Sequence, residues 1–113
     1  MKSAFLAFSL LVMVIFSSSA FAGPTGKELY DKSCKNCHGV DGKGNKNLAE
    51  KMLKIEPERL DLTKQDTKDK KDEALRAAIT DGAGKMKGLK DKLDADEISL
   101  IMDYVRTLQK AVK

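Results

Sequence analysis

The sequence predicts an all-α fold for the residues that follow position 22. Apolar residues recur there at the spacings of three and four that a helix face requires, and no stretch alternates apolar and polar residues as a half-buried strand does. Capping signals mark the start of two helices, and glycine or proline marks the end of others. We therefore expect helices joined by irregular loops, with no sheet.

The first predicted helix begins after Thr25. Thr25 and Glu28 have the spacing of a capping box, in which each side chain bonds the backbone of the other residue. The helix is predicted to run from about Gly26 to Cys37. Its inner face is predicted to carry Leu29, Tyr30 and Cys34.

The middle of the chain predicts two further helices. The first runs from Asn47 to Ile55, with Met52 among its core-filling residues, and Pro57 ends it. The run from Lys64 to Glu73 mixes charges of both signs and is predicted to be a solvated loop that leads into the next helix. That helix stops at Asp81-Gly82, and its apolar positions are Leu75, Ala78 and Ile79. A glycine-rich loop follows it.

The last helix has the strongest signal. Asp94 as N-cap and Glu97 three residues later form a second capping box. Apolar residues then recur at i, i+3, i+4, i+7 and i+10, which predicts one buried stripe. The stripe consists of Ile98, Ile101, Met102, Val105 and Leu108, with Tyr104 beside it. Met102 is predicted to fill the core, as methionine on an apolar stripe commonly does.

Residues 1–22 have the pattern of an export signal that is removed. Lys2 supplies a positive start, residues 4–16 are almost wholly apolar, and Ala20-Phe21-Ala22 is a small-x-small cleavage site. The apolar run is shorter than the ~20 residues that span a bilayer, so no stable membrane insertion is expected after cleavage. This predicts a periplasmic protein whose single domain is residues 23–113.

Residues 23–113 are poor in large apolar side chains. All four phenylalanines lie before them, the sequence has no tryptophan, and the remaining aromatics are Tyr30 and Tyr104. The 91 residues contain 10 Leu, 4 Ile and 3 Val. Small domains with so little core commonly need a metal, a disulfide or a cofactor. We therefore expect a non-protein group to complete the core, and a chain without that group to be largely unfolded.

The only two cysteines lie in the run Cys34-Lys35-Asn36-Cys37-His38. C-x-x-C-H is the attachment signature of c-type haem. Positions i and i+3 of a helical turn share a face, so Cys34 and Cys37 can both reach the same side of a porphyrin. His38 then follows as the proximal iron ligand. Because His38 is the only histidine, the sequence predicts one haem c and excludes bis-histidine ligation within a monomer.

Three other interpretations of the two cysteines compete with haem attachment. A disulfide here would close a very small loop and stabilise little. A thioredoxin-like redox site needs a flanking βαβ pattern, which the sequence lacks. A structural zinc site needs four ligands, and the chain offers no third cysteine or second histidine. Covalent haem remains the favoured interpretation.

A second axial ligand would decide between an electron carrier and a reactive haem. A thioether stabilises ferrous iron and raises the reduction potential. Of the methionines beyond position 22, Met86 alone lies in a glycine-flanked loop rather than on an apolar stripe. A loop can bring it to the haem face opposite His38, so Met86 is the predicted sixth ligand.

These residues together resemble the class I c-type cytochromes, particularly the small bacterial and cytochrome c6-like members, over nearly all of residues 23–113. The matching residues are Gly26, Tyr30, Cys34 to Gly39, Ile79 to Gly82, Gly84 to Met86, and Asp103 to Leu108. The resemblance implies four to five helices wrapped around one haem, with Gly26 and Tyr30 meeting Tyr104 where the terminal helices cross. The resemblance also implies that the protein carries one electron between redox partners and is not an enzyme.

Two positions depart from the pattern of that family. Many relatives have a proline soon after C-x-x-C-H whose carbonyl orients the ligating imidazole, but the first proline after His38 is Pro57. Relatives often have proline directly after the ligand methionine, whereas Lys87 follows Met86. The hydrogen-bond partner of His38 is therefore not predicted, and the ligand loop is expected to be more flexible.

The lysines near Met86 suggest where a partner docks. Residues 85–92 contain four lysines and only one acidic residue, Asp91. The lysines are Lys85, Lys87, Lys90 and Lys92. Such a basic patch would steer an acidic redox partner to a monomeric carrier.

Nucleic-acid binding is disfavoured, because the two tyrosines offer no stacking platform. Two alternatives are a haem protein with a labile sixth ligand, which binds small ligands or reacts with peroxide, and a fixed subunit of a larger complex.

Overall fold

The computed structural model describes residues 23–112, so the predicted export signal lies outside the described residues. The all-α prediction is confirmed there, apart from one very short hairpin. In chain order the elements are α1 (Gly26–Ser33), α2 (Lys35–His38), a π-helix (Leu48–Leu53), a 3-10 helix (Pro57–Leu60), α3 (Gln65–Lys68), α4 (Asp72–Asp81), β1 (Gly82–Ala83), β2 (Met86–Lys87) and α5 (Ala95–Ala111). None of the helices in this part of the chain has the length and apolar character needed to cross a membrane.

Both predicted capping boxes are confirmed. At the start of α1, the Thr25 hydroxyl accepts from the Glu28 backbone N–H at 3.2 Å, and the Glu28 carboxylate accepts from the Thr25 N–H at 2.9 Å. Asp94 and Glu97 repeat the arrangement at α5, at 2.8 and 3.1 Å. Each box satisfies N–H groups that a helix start otherwise leaves unpaired.

Helices α1 and α5 pack closely against each other, as the resemblance implied. The rings of Tyr30 and Tyr104 meet edge to face with their centroids 5.2 Å apart. A Cβ atom on Gly26 would overlap the backbone carbonyl of Leu100 and lie 3.2 Å from the Tyr104 Cβ. Glycine at position 26 is therefore what allows the two backbones to come together.

Gly26→Ala is expected to destabilise the protein by about 1–3 kcal/mol, the usual cost of overpacking. The backbone carbonyl of Leu100 cannot move aside as a flexible side chain could. The measurement is chemical unfolding of the haem-loaded protein. Gly23→Ala is the matched control, since a Cβ there has nothing within 4 Å. Equal stability of the two variants would contradict the packing argument.

The prediction of one helix from Gly26 to Cys37 is wrong at Cys34. The backbone of Cys34, with φ −122° and ψ −33°, leaves the helical geometry and separates α1 from α2. Its N–H still bonds the Tyr30 carbonyl at 2.8 Å, and its carbonyl accepts from the His38 N–H at 2.9 Å. Cys34 thus ends one helix and begins the next.

The predicted helix over residues 47–55 is present, but the core-filling prediction for Met52 is wrong. Leu48–Leu53 winds as a π-helix, and Lys54 ends it in the left-handed region with φ 54°. The wider winding moves residues four apart out of line, since a π-helix bonds i to i+5. Ala49 is buried as a result, while the Met52 side chain is 74% exposed.

The charged run from Lys64 to Glu73 is only partly a loop. It contains the one-turn helix α3, and α4 already begins at Asp72. The charged side chains are mostly exposed, as expected for a solvated segment. α4 ends at Asp81 with Gly82 as its C-cap, in agreement with the sequence.

The glycine-rich loop that carries Met86 forms a hairpin, so the prediction of no sheet is wrong here. β1 and β2 are antiparallel, with Gly82 opposite Lys87 and Ala83 opposite Met86. Gly82 has φ 86°, and a Cβ there would lie 2.5 Å from the Met86 carbonyl oxygen. Only glycine permits this approach, and two-residue strands are too short to show an alternating pattern in the sequence.

The core lies between α1, α4 and α5. The predicted stripe of α5 is confirmed, with four of its five residues buried and Leu108 partly buried. Met102 is buried, as predicted. The buried cluster consists of Leu29, Tyr30, Cys34, Leu75, Ile79, Leu89, Ile98, Ile101, Met102 and Val105. Several of these side chains also line an apolar cleft.

Candidate functional site

An apolar cleft opens between α1, α4, α5 and the hairpin. The lining residues are Tyr30, Cys34, His38, Leu62, Leu75, Ala78, Ile79, Met86, Ile101, Met102 and Val105. The cleft therefore combines an apolar wall with one thiol, one imidazole and two thioethers.

The two cysteines differ in their surroundings. Cys34 is buried and lines the cleft, whereas Cys37 is half-buried in α2 and is not among the lining residues. Both carry free thiols. Burial, followed by the neighbouring Cys37, raises the pKa of Cys34 to about 11. Before haem is attached, Cys34 is therefore a neutral thiol at the wall of the cleft.

His38 is held in one orientation by a backbone carbonyl. Its Nδ1 lies 2.8 Å from the Leu60 carbonyl oxygen, which can only accept, so Nδ1 carries the proton. Burial lowers the pKa of His38, against the opposing effect of this hydrogen bond. The imidazole is thus neutral with a free lone pair on Nε2, which is the form that binds a metal.

The Leu60 carbonyl answers the question that the sequence left open about the partner of His38. Pro57 starts the 3-10 helix that ends at Leu60. The next residues are fixed as well, because the Leu62 N–H donates to the Gly42 carbonyl at 2.7 Å and the Gln109 side chain donates to the Leu62 carbonyl at 2.9 Å. Because Leu60 lies 22 residues from His38 and contributes only its backbone carbonyl, no local sequence pattern indicates this contact.

Tyr30 has a role that the sequence analysis missed. Its hydroxyl donates to the Gly39 carbonyl at 2.6 Å, directly after the C-x-x-C-H run. Burial raises the pKa of Tyr30, so the hydroxyl keeps its proton. Tyr30 therefore fastens the end of the motif to α1 while its ring packs against Tyr104.

Met86 is half-buried in β2 and lines the same cleft as His38 and Cys34. Met102 also lines the cleft, from within the packed α5 stripe. Met52 does not line it. The structure thus brings together three of the four predicted site residues and places a second methionine beside them.

The four lysines of the predicted docking patch are exposed, but two of them have partners. The Lys85 ammonium donates to the Leu53 carbonyl at 2.6 Å. Lys90 lies 3.8 Å from the Asp81 carboxylate. Among the described residues, the ammonium groups of Lys87 and Lys92 make no hydrogen bond or salt bridge, so they carry the uncommitted charge of the patch.

The side chains of the cleft, together with the adjacent Cys37, fit a haem. Two free thiols at C-x-x-C spacing can form thioether bonds, a neutral imidazole offers Nε2 to iron, and the apolar wall suits a porphyrin. The cytochrome c family model matches residues 24–109. Cytochrome c6 of Gloeothece citriformis (strain PCC 7424) is 31% identical over 92% of this chain and 91% of that protein.

A solved structure is similar in fold. The c-type cytochrome KustC0563 superposes with a TM-score of 0.63 and 27% identity, covering 76% of this chain and 99% of that one. The helices around the cleft are therefore those of a cytochrome c fold. With a single C-x-x-C-H motif, the chain belongs to the cytochrome c family as a class I c-type cytochrome, an electron carrier with one covalently bound haem c.

Proposed function

We propose that this protein is an exported, monomeric one-electron carrier in which His38 and Met86 are the axial ligands of the haem iron. The observation that carries the proposal is the pairing of side chains at one cleft. The Leu60 carbonyl leaves Nε2 of His38 available, and Met86 lines the same cleft from a separate element of the chain. These two residue types are the His/Met ligand pair of electron-transfer cytochromes.

The residues around the cleft support a carrier better than an enzyme. Haem c, when bound, supplies the Fe(III)/Fe(II) exchange of one electron. His38 is the only histidine in the sequence, and among the described residues the cleft wall holds no carboxylate. The Tyr30 hydroxyl in that wall already donates to the Gly39 carbonyl, so general acid–base chemistry has no free donor there. The Leu60 and Gly39 carbonyls restrain His38 and the motif, which keeps rearrangement on electron exchange small.

Visible spectroscopy tests the proposed ligation. We expect low-spin spectra in both oxidation states, with a weak near-red sulfur-to-iron band in the ferric form. The ferrous spectrum should not change when carbon monoxide is added. A high-spin spectrum, or a shift with carbon monoxide, would overturn the proposal in favour of a small-ligand-binding or peroxide-reactive haem.

We also propose that residues 1–22 direct export to the periplasm and are then removed. The family match, which begins at residue 24, supports a functional domain that starts just after the proposed cleavage site. Mass spectrometry of the protein from the periplasmic fraction should give an N-terminus at Gly23. A haem-loaded protein that retains residue 1, or that stays with the membrane, would contradict this proposal.

The proposed docking patch predicts a salt-dependent rate. Lys87→Glu combined with Lys92→Glu should slow reduction of the ferric protein by anionic hexacyanoferrate(II) about tenfold at low salt, because steering by charge adds 10-fold or more to on-rates. The difference in rate between the variant and the wild-type protein should shrink near 1 M salt, where the Debye length is about 3 Å.

The control for this prediction has the same change in net charge elsewhere. The control variant combines Lys70→Glu with Lys110→Glu, which makes the same charge change at the C-terminal end of α5. Lys110 lies about 24 Å along the helix from Asp94. Lys70 lies near the same end, because the Arg106 guanidinium donates a hydrogen bond to the Lys70 carbonyl. Equal slowing in both double variants would mean that overall charge, rather than a local patch, sets the rate.

A further inference from the structure

The tip of the Met86 hairpin is tied to a distant part of the chain by one lysine. Lys85 lies between Gly84 and Met86, in the turn that joins β1 to β2. Its ammonium donates to the carbonyl of Leu53 at 2.6 Å, across 32 residues of sequence. The bond therefore joins the residue next to Met86 to the last residue of the π-helix.

The Leu53 carbonyl is well suited to receive this cation. Lys54 takes the left-handed conformation and ends the π-helix, so Leu53 is among the last residues whose carbonyls have no helical partner. The carbonyl end of a helix also carries partial negative charge. A hydrogen bond from an ammonium group to such an oxygen is stronger than one between neutral groups.

Apart from the packing of Met86 against the core, the rest of the hairpin is held by backbone hydrogen bonds at its base. Leu89 and Lys90 donate backbone N–H bonds to the Ile79 and Thr80 carbonyls, which fixes the chain where it leaves the hairpin. At the tip, a Cβ on Gly84 would have nothing within 4 Å. Within residues 23–112, the Lys85 bond is the hydrogen bond that joins the turn to an element outside the hairpin.

We propose that Lys85 is a positioning residue that keeps the Met86 hairpin closed against the cleft. With the tip anchored at Leu53 and the base at α4, Met86 is restrained from both sides. Without the anchor, the hairpin can swing on its base and carry Met86 away from the cleft. The consequence for iron ligation rests on the proposed function, whereas the closure of the hairpin does not.

Hydrogen–deuterium exchange of the haem-loaded protein tests the closure. Lys85→Met removes the donor but keeps the length of the side chain. Exchange over residues 82–88 should rise about five- to tenfold, the effect expected when one solvent-exposed hydrogen bond is lost. Lys87→Met removes the same charge two residues away and should leave exchange unchanged. Lys85→Arg keeps N–H donors and should restore most of the protection.

Carbon monoxide binding to the ferrous protein tests the consequence at the iron. The association rate should rise by a similar factor in Lys85→Met and not in Lys87→Met, while the midpoint of global unfolding stays the same. If hydrogen exchange and carbon monoxide binding in Lys85→Met are the same as in the Lys87→Met control, the proposal is overturned. If Lys85→Met loosens the hairpin but the wild-type protein already binds carbon monoxide rapidly, the closure holds and the proposed Met86 ligation fails.

Discussion

Replacement of Met86 by alanine is expected to open the sixth coordination position of the iron. The near-red sulfur-to-iron band should disappear, and the ferrous protein should bind carbon monoxide. The reduction potential should fall by on the order of 0.2 V, a substantial part of the roughly 0.8 V range that axial ligands span. The reason is that a thioether stabilises ferrous iron more than the water that would replace it.

Two other methionines make this experiment selective. Met102 lines the cleft from α5, and Met52 is exposed on the π-helix. Met102→Leu keeps an apolar side chain of similar volume and should retain the band and the resistance to carbon monoxide, at a stability cost below about 1.5 kcal/mol. Met52→Leu should change neither. Loss of the band in Met102→Leu, with the band kept in Met86→Ala, would transfer the ligand role to Met102.

Local signals in the sequence were sufficient where a few neighbouring residues decide the structure. The capping boxes at Thr25 and Asp94 need only residues three positions apart, and both formed as predicted. The apolar stripe of α5 likewise fixed which face of that helix is buried. The C-x-x-C-H motif is equally local, and it was enough to predict the haem.

Features that were predicted wrongly, or not predicted at all, depended on unusual winding or on contacts between distant residues. Met52 has helical spacing with Leu48, but the π-helix breaks that register and exposes it. The partner of His38 is a backbone carbonyl, and every residue type provides one, so no side-chain pattern could identify Leu60. The Lys85 to Leu53 bond is hidden for the same reason.

The haem-free chain is expected to be largely unfolded, because two of the three helices that form its core are too short to be stable alone. α1 has 8 residues, α4 has 10 and α5 has 17. Isolated helices below about 12–15 residues are marginal in water, so they depend on packing. The core that would pack them lines an apolar cleft, and contacts across an unfilled cleft are lost.

Cys34→Ala combined with Cys37→Ala, purified without haem, tests this expectation by circular dichroism. The helical signal should fall to roughly half or less of the holoprotein value, with no cooperative melt. Loss of the buried Cys34 thiol could itself weaken packing, so haem added without covalent attachment is the control. Recovery of helix would show that the missing group, and not the missing sulfur, caused the unfolding. A native-like cooperative melt of the haem-free variant would mean that α1, α4 and α5 close the cleft by themselves, and that the scarcity of large apolar residues does not require a cofactor in the core.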